Sequence, residues 1–203
     1  MNKKVVFIDW DGTLCFSHFW ETLSAKNPAF SQVVADFFAT EKEMIKNWMR
    51  GKHTSEEINK ILSERAGLPE KRVWKSFVSD CQKMKIDIKT TKTIQKLRKK
   101  HHVVLITGNM DCFSRFTVPS LKLDKLFDQV INSYDTGMLK TDDNGKQFFN
   151  CLDSYSRKIS DAYLIEDSAN TCEVFTKLGG KALKVDQKED AYIHINTILE
   201  DLV

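Results

Sequence analysis

The sequence predicts an α/β protein in which an all-helical segment is inserted into a parallel-sheet core. Three observations support this prediction. Short apolar runs alternate with amphipathic stretches after residue 100, a helical region follows the first apolar run, and polar residues directly follow three of the runs. Strands that alternate with helices form βαβ units, whose strands are parallel and whose crossovers are right-handed.

The apolar runs predict the strands of the sheet. The first run, Val5–Ile8, is continuous and rich in β-branched residues, which is typical of a strand covered on both faces. Further strands are predicted at residues 103–106, around Val130 and Ile131, at 162–165 and at 182–185. The clearest helical patterns between and after them lie at residues 172–178 and 191–202.

The region from residue 17 to residue 84 contains no strand pattern. Its apolar residues recur at helical spacing, and we interpret these stripes as core packing. Thr54 and Glu57 form a capping box that begins one helix. The predicted division is therefore a core domain of residues 1–15 plus 86–203 and an all-helical domain of residues 16–85.

Composition excludes several classes of protein. The 203 residues are 41% hydrophobic and 29% charged, as in ordinary globular proteins, and the net charge of +3 does not indicate nucleic-acid binding. No apolar run reaches the roughly 20 residues of a membrane span, and the N-terminus does not resemble a signal peptide. Five cysteines without CxxC spacing predict reduced thiols and a cytoplasmic location.

Asp9 and Asp11 lie one residue apart where the chain leaves the first predicted strand. Two carboxylates this close repel each other unless a positive charge lies between them, which favours a bound cation. An ordinary polar turn is the alternative, because Asp and Gly are both favoured in turns. A calcium loop has different spacing, since Gly12 directly follows the second Asp.

Polar residues also follow the predicted strands at 103–106 and 162–165. In open α/β sheets, ligands bind at the carboxyl ends of the strands, so these residues are expected to meet at one edge. Their chemistry suits a metal ion or a phosphate group. They are Asp9 and Asp11 after the first strand, Thr107, Gly108 and Asn109 after the second, and Glu166, Asp167 and Ser168 after the fourth.

These residues resemble the motifs of the haloacid dehalogenase (HAD) superfamily, in the same order and spacing. The segments concerned are "DWDGTL" at residues 9–14, "LITGN" with Thr107, a downstream lysine, and "IEDS" at residues 165–168. The helical domain resembles the small helical C1-type cap of that superfamily. The resemblance implies a Rossmann-like parallel sheet with a helical cap, and Mg²⁺ as the cofactor.

The resemblance also implies roles for individual residues. Asp9 is expected to attack phosphorus and form an aspartyl-phosphate, and Asp11 is expected to act as the general acid and base. Thr107, Gly108 and Asn109 are expected to hold the phosphoryl oxygens. The expected Mg²⁺ ligands are Asp9, the backbone carbonyl of Asp11, Asp167 and the additional candidate Glu166.

The third motif departs from the superfamily pattern, because no proline follows the lysine. Lys140 is the preferred candidate, since it closely follows the predicted strand around Val130 and Ile131. Lys146, beyond the Asn144–Gly145 dipeptide, is the rival. A solvated loop lysine is the ordinary interpretation of either residue.

Arg50 and Lys52 flank Gly51 in the stretch "WMRGKHTSEE", between two predicted cap helices. In relatives with such caps this loop closes over the substrate, so both residues are candidates for contact with the substrate. Solvated surface charges are the alternative interpretation.

The presence of Asp11 favours phosphate-ester chemistry, because dehalogenases of the superfamily lack this second aspartate. The sequence therefore predicts a Mg²⁺-dependent phosphatase that acts on a small phosphorylated metabolite, as a monomer or homodimer. A phosphomutase of the β-phosphoglucomutase type is one alternative. A catalytically quiet regulatory or binding protein on the same fold is another.

Overall fold

A five-stranded, wholly parallel sheet forms the centre of the molecule in a computed structural model that describes residues 3–200. The strand order is β3-β2-β1-β4-β5. The predicted α/β class with a parallel sheet is therefore confirmed. The strands are β1 (Val5–Ile8), β2 (His102–Thr107), β3 (Gln129–Asn132), β4 (Ala162–Glu166) and β5 (Lys181–Lys184).

Helices surround this sheet and also fill the stretch between β1 and β2. The first five helices are α1 (Glu21–Ser24), α2 (Pro28–Thr40), α3 (Lys42–Met49), α4 (Ser55–Ala66) and α5 (Glu70–Gln82). The others are α6 (Ile88–Lys100), α7 (Val118–Leu121), α8 (Leu123–Leu126), α9 (Ser133–Thr136), α10 (Lys146–Ser154), α11 (Ala169–Lys177) and α12 (Asp190–Glu200). No helix within residues 3–200 has the length and apolar composition required to cross a membrane.

Strand β1 occupies the middle of the sheet because all four of its side chains are apolar and fully buried. Its Ile8 pairs with Leu105 of β2 on one side and Ile165 of β4 on the other. Successive residues of a strand face opposite sides of the sheet, so β1 contributes to two separate clusters. Phe7, for example, packs edge-on against Phe148 in one of them.

The predicted elements differ from the observed ones mainly at their ends. Strand β2 begins one residue earlier and ends one residue later than predicted, and β5 lies one residue earlier than predicted. The final helix was expected over residues 191–202. It begins at Asp190, and residues beyond Glu200 lie outside the described part.

Helices α1–α5 form a helical unit with its own apolar cluster, built around large aromatic side chains such as Trp20, Trp48 and Phe77. The predicted capping box is present at the start of α4. The Thr54 hydroxyl accepts a hydrogen bond from the Glu57 N–H, and the Glu57 carboxylate accepts one from the Thr54 N–H. This unit lies between β1 and α6 in the chain, where the cap was expected. The exact domain boundaries stay a prediction.

Asp111, which follows β2, connects the helical unit to the sheet. Its side chain is buried. One carboxylate oxygen accepts hydrogen bonds from the Trp48 indole at 2.8 Å and the Ser55 hydroxyl at 2.5 Å. The other accepts one from Arg115 at 2.7 Å. A single carboxylate after β2 thus holds the end of α3 and the start of α4.

We expect Asp111→Asn to destabilise the protein by about 2 kcal/mol, because an amide replaces one acceptor oxygen by a donor that faces other donors. Urea unfolding followed by circular dichroism measures the change. Asp135→Asn is the matched control, since Asp135 is exposed and accepts one hydrogen bond from Ser114. The control should change the free energy of unfolding by less than about 0.5 kcal/mol. Equal effects of the two substitutions would contradict this role of Asp111.

Candidate active site

The polar residues that follow β1, β2 and β4 meet at one edge of the sheet, because these three strands are adjacent and parallel. They surround a cavity of about 370 Å³. The polar residues predicted from the strand ends that line it are Asp9, Asp11, Thr107, Gly108, Glu166, Asp167 and Ser168, and Lys140 joins them from a loop.

Lys140 lies between two buried carboxylates. Its ammonium group donates hydrogen bonds to Asp9 at 2.7 Å and to Glu166 at 2.5 Å, and all three side chains are buried. Burial opposes the charge of Lys140, but the attraction of Asp9 and then Glu166 outweighs it and raises the pKa of the lysine. Burial raises the pKa of Asp9, and Lys140 acts against that shift. The lysine is therefore held in its charged form.

Lys146, the rival third-motif lysine, lies outside this cluster. It begins α10, is exposed, and comes only within 4.0 Å of the Asp143 carboxylate. Lys140 is therefore the lysine that the structure brings to the strand ends.

Asp11 lies at the floor of the cleft, beside Asp9. Its side chain is exposed to the cleft, although protein surrounds the carboxyl group on the other sides. This enclosure, followed by the negative charge of Asp9, raises the pKa of Asp11 to about 7. The Asn109 amide donates a hydrogen bond of 2.7 Å to one oxygen of Asp11. Near neutral pH, a proton can thus be held on Asp11 in a fixed position.

Asn109 does not line the cleft cavity itself, although the sequence suggested a contact with phosphoryl oxygens. Its side chain is buried, and its carbonyl oxygen accepts a hydrogen bond from the Met110 N–H at 2.8 Å. The structure thus gives Asn109 a positioning contact with Asp11. Thr107 and Gly108 do line the cavity.

Carboxylate oxygens of Asp9, Glu166 and Asp167 lie within 4.8 Å of one another, close enough to share one metal ion. Hard oxygen donors are what Mg²⁺ prefers. Each Glu166 oxygen already accepts a hydrogen bond, from Lys140 or from the Ser168 N–H. No hydrogen bond among the described residues uses the Asp167 carboxylate, which is exposed to the cleft. Asp9 and Asp167 are thus better placed than Glu166 to hold a cation.

Gly12 permits the close approach of Asp167 to the loop after β1. A Cβ atom at this position would lie 2.4 Å from an Asp167 carboxylate oxygen, and the backbone φ of +71° is itself unfavourable for other residues. The glycine that follows the aspartate pair therefore makes room for the second acidic motif.

The structure does not bring Arg50 or Lys52 to the cleft. The Arg50 guanidinium forms two hydrogen bonds with Asp142, at 2.8 and 3.1 Å, and Lys52 is exposed elsewhere. Their neighbour Met49 lines the cavity instead. The Met49 carbonyl accepts a hydrogen bond from the Ser133 hydroxyl at 2.7 Å, which fixes this end of α3 against the sheet.

A second cavity of about 480 Å³ adjoins the first. Sequence reasoning singled out Asp11 and Gly108 among the residues that line it and missed the apolar ones. Several belong to the apolar stripes of the helical unit, which the sequence analysis assigned to core packing. That interpretation is correct for fully buried residues such as Phe37 and Trp48. Val34, Phe38 and Met49 are only half-buried and face this cavity. Spacing along a helix could not separate the two groups.

The parallel sheet carries acidic residues after the adjacent strands β1 and β4, and the helical unit is inserted directly after the first of them. A sequence-family model for haloacid dehalogenase-like hydrolases matches residues 3–179. The protein therefore belongs to this family, as its motifs indicated. No curated protein sequence matches the chain significantly.

Solved structures with the same fold share little sequence with this chain. A HAD family enzyme from Bacteroides thetaiotaomicron is 18% identical, with a TM-score of 0.72 over 92% of this chain and 96% of that one. A predicted HAD-like hydrolase from Porphyromonas gingivalis is 18% identical, with a TM-score of 0.69 over 98% of each chain. The L-2-haloacid dehalogenase from Xanthobacter autotrophicus is 10% identical, with a TM-score of 0.65 over 99% of this chain and 84% of that one.

We expect Lys140→Ala to lower the free energy of unfolding by about 3 kcal/mol, because it leaves Asp9 and Glu166 buried without their cation. Lys146→Ala is the matched control and should change it by less than about 0.5 kcal/mol. Chemical denaturation of the three proteins in metal-free buffer measures both changes. A stable Lys140→Ala protein would show that the two carboxylates do not need this lysine.

Proposed function

We propose that the protein is a Mg²⁺-dependent phosphatase that hydrolyses a small phosphorylated metabolite through an aspartyl-phosphate at Asp9. The observation that carries this proposal is the position of Asp11, which lines the cavity beside Asp9 and accepts a hydrogen bond of 2.7 Å from the Asn109 amide. A carboxyl group that holds a proton near neutral pH can deliver it to a poor leaving group such as an alkoxide. Asp9 lies next to it at the same strand end.

The residues divide the reaction between them. One carboxylate oxygen of Asp9 attacks phosphorus. Lys140 donates a hydrogen bond to the other oxygen, and its positive charge offsets negative charge on the phosphoryl group. Asp11 gives its proton to the ester oxygen as the bond to phosphorus breaks. Asp11 then accepts a proton from water, whose oxygen attacks phosphorus, so that the bond between phosphorus and Asp9 breaks and phosphate is released. Thr107 and Gly108 line the space in which the phosphoryl oxygens would lie.

Asp9, Asp167 and the backbone carbonyl of Asp11 are the proposed ligands of Mg²⁺, with Glu166 as an additional candidate. When bound, the ion neutralises the charge of the carboxylates and phosphoryl oxygens. The donor set supports this proposal, because its atoms are all hard oxygens. The structure of the Bacteroides thetaiotaomicron enzyme in complex with magnesium and inorganic phosphate is consistent with it.

A dehalogenase is the candidate that one structural neighbour raises, since the Xanthobacter autotrophicus enzyme was solved with chloropropionic acid covalently bound. A halide leaves without needing a proton, so such a reaction has no use for a second carboxyl group. Asp11, oriented by Asn109 beside Asp9, favours an ester whose oxygen must be protonated.

The phosphomutase alternative uses the same residues and differs in the fate of the phosphoryl group. Product analysis with sugar phosphates distinguishes it, because a mutase returns phosphate to the sugar and a phosphatase releases it. A catalytically quiet protein would release none. We also propose a cytoplasmic location, which the five free, buried cysteines support.

We expect Asp9→Asn to abolish Mg²⁺-dependent phosphate release from every substrate of a metabolite panel, because an amide is a far poorer nucleophile than a carboxylate. The panel is assayed with and without Mg²⁺. Asp135→Asn should keep wild-type activity, since Asp135 is exposed and does not line the cavity. Substantial turnover by Asp9→Asn would place the nucleophile at another residue.

Asp167→Ala should raise the Mg²⁺ concentration required for half-maximal activity by at least about tenfold, because it removes an anionic ligand. Titration of activity with Mg²⁺ measures this change, and thermal unfolding without metal tests whether the fold is retained. Asp143→Ala, an exposed carboxylate outside the cavity, is the control and should leave the titration unchanged. Wild-type activity that persists in the presence of EDTA would show that the reaction does not require a metal ion.

A further inference from the structure

The second cavity continues directly from the cavity that contains the carboxylates. The two share the residues Asp11, Met49 and Gly108 at their border. A volume of about 480 Å³ is within the range of roughly 300–1,000 Å³ that is usual for small-molecule sites. The two cavities therefore lie side by side, and their linings differ chemically.

The lining of the second cavity is apolar on both sides. Helices α2 and α3 contribute Val34, Phe38, Ile45 and Met49, and the sheet side contributes Met84 and Met110. Such side chains bind apolar groups by removing their surface from water. Methionine also adapts its shape readily to an occupant.

No lysine or arginine within residues 3–200 lines this second cavity, although the chain contains 31 such residues. Besides Asp11 at the border, the polar side chains that line it are Ser17 and His18, together with the Cys15 thiol. The nearest cap arginine, Arg50, is held by Asp142. The cavity therefore offers little to a sugar phosphate or a second phosphate group, whose hydroxyl or anionic groups need polar partners.

The position of Asp11 decides which part of a substrate enters the second cavity. In the proposed reaction Asp11 protonates the ester oxygen, so it must lie beside the bond between phosphorus and the leaving group. The phosphoryl group occupies the side with Asp9 and Lys140. The leaving group then lies on the other side of Asp11, where the apolar cavity begins.

We propose that this cavity binds an apolar leaving group, so that the substrate is a phosphate monoester of an apolar alcohol. This inference rests on the proposed phosphatase function and goes beyond it, because it names the substrate class. Val34, Phe38 and Ile45 select the apolar group, and Met49 contacts it where it joins the phosphate.

Hexyl phosphate and glycerol phosphate test the proposal. With glycerol 1-phosphate as the glycerol ester, both compounds release a primary alcohol after Asp11 has protonated the ester oxygen, so their intrinsic reactivities are similar and their apolar surfaces differ. We expect kcat/KM for hexyl phosphate to exceed that for glycerol phosphate by about a hundredfold, mainly through a lower KM. Acetyl phosphate is an acyl phosphate whose leaving group is too small to fill the second cavity. Its rate of hydrolysis therefore measures the function of the residues around the phosphoryl group alone.

Val34→Asp should lower kcat/KM for hexyl phosphate by at least about tenfold, because the new carboxylate disfavours apolar contact, and acetyl phosphate hydrolysis should change by less than about twofold. Ala35→Asp is the matched control, since Ala35 is the next residue of α2, is exposed, and does not line the cavity. It should leave both substrates unaffected. Val34→Thr keeps the side-chain shape and serves if Val34→Asp does not fold. A fall of about threefold in its kcat/KM for hexyl phosphate would likewise support the apolar site.

The outcomes separate this inference from the proposed function. Mg²⁺-dependent hydrolysis of hexyl phosphate and glycerol 1-phosphate with equal kcat/KM, or with preference for glycerol 1-phosphate, would overturn the apolar substrate class and leave the phosphatase function intact. Equal losses on hexyl and acetyl phosphate in Val34→Asp would also overturn it. If none of the three compounds is hydrolysed in the presence of Mg²⁺, the proposed function is overturned, and this inference with it.

Discussion

The contact of Lys140 with Asp9 and Glu166 is the interaction on which the rest of the site depends. Parallel topology brings the ends of β1 and β4 together, and each strand ends in carboxylates. Such a concentration of like charge at a buried edge would oppose folding without a cation. Lys140 supplies that cation within the chain, from a loop that the hydrogen bond between the Leu139 N–H and Asp142 helps to fix. The chain can therefore fold with these carboxylates at the strand ends without a bound metal ion or substrate.

The same loop and the strand β2 also position the helical unit over the site. Asp142 accepts hydrogen bonds from Arg50, Ser133 holds the Met49 carbonyl, and Asp111 holds Trp48 and Ser55. All these contacts converge on the end of α3 and the start of α4. Met49 is therefore held at the border of the two cavities by hydrogen bonds to the sheet side, and the shape of the cleft depends on them.

The sequence was informative where physical constraints are local or topological. Continuous β-branched runs predicted the strands, and parallel topology predicted that Asp9, Thr107 and Glu166 would meet. The edge strand β5 was misplaced by one residue, because a strand with one neighbour depends on its pairing with β4 more than on its own composition. Arg50 and Asp142 are 92 positions apart in the chain, so no local sequence pattern indicates that they form a pair. Half-buried Val34 and Phe38 resemble core residues at helical spacing, so the second cavity could not be foreseen.

Apart from Asp11, Met49 and Gly108, which line both, the two cavities are lined by different parts of the chain and bind by different physical interactions. The charged end comes from strand ends whose register the sheet fixes, which suits groups that must hold a phosphoryl oxygen or a metal ion. The apolar end comes largely from α2 and α3, where contact is non-directional and substitutions change shape without disturbing the carboxylates. If the proposed substrate class is correct, changes in those two helices would alter which alcohol is accepted while Asp9, Asp11 and Lys140 keep their geometry.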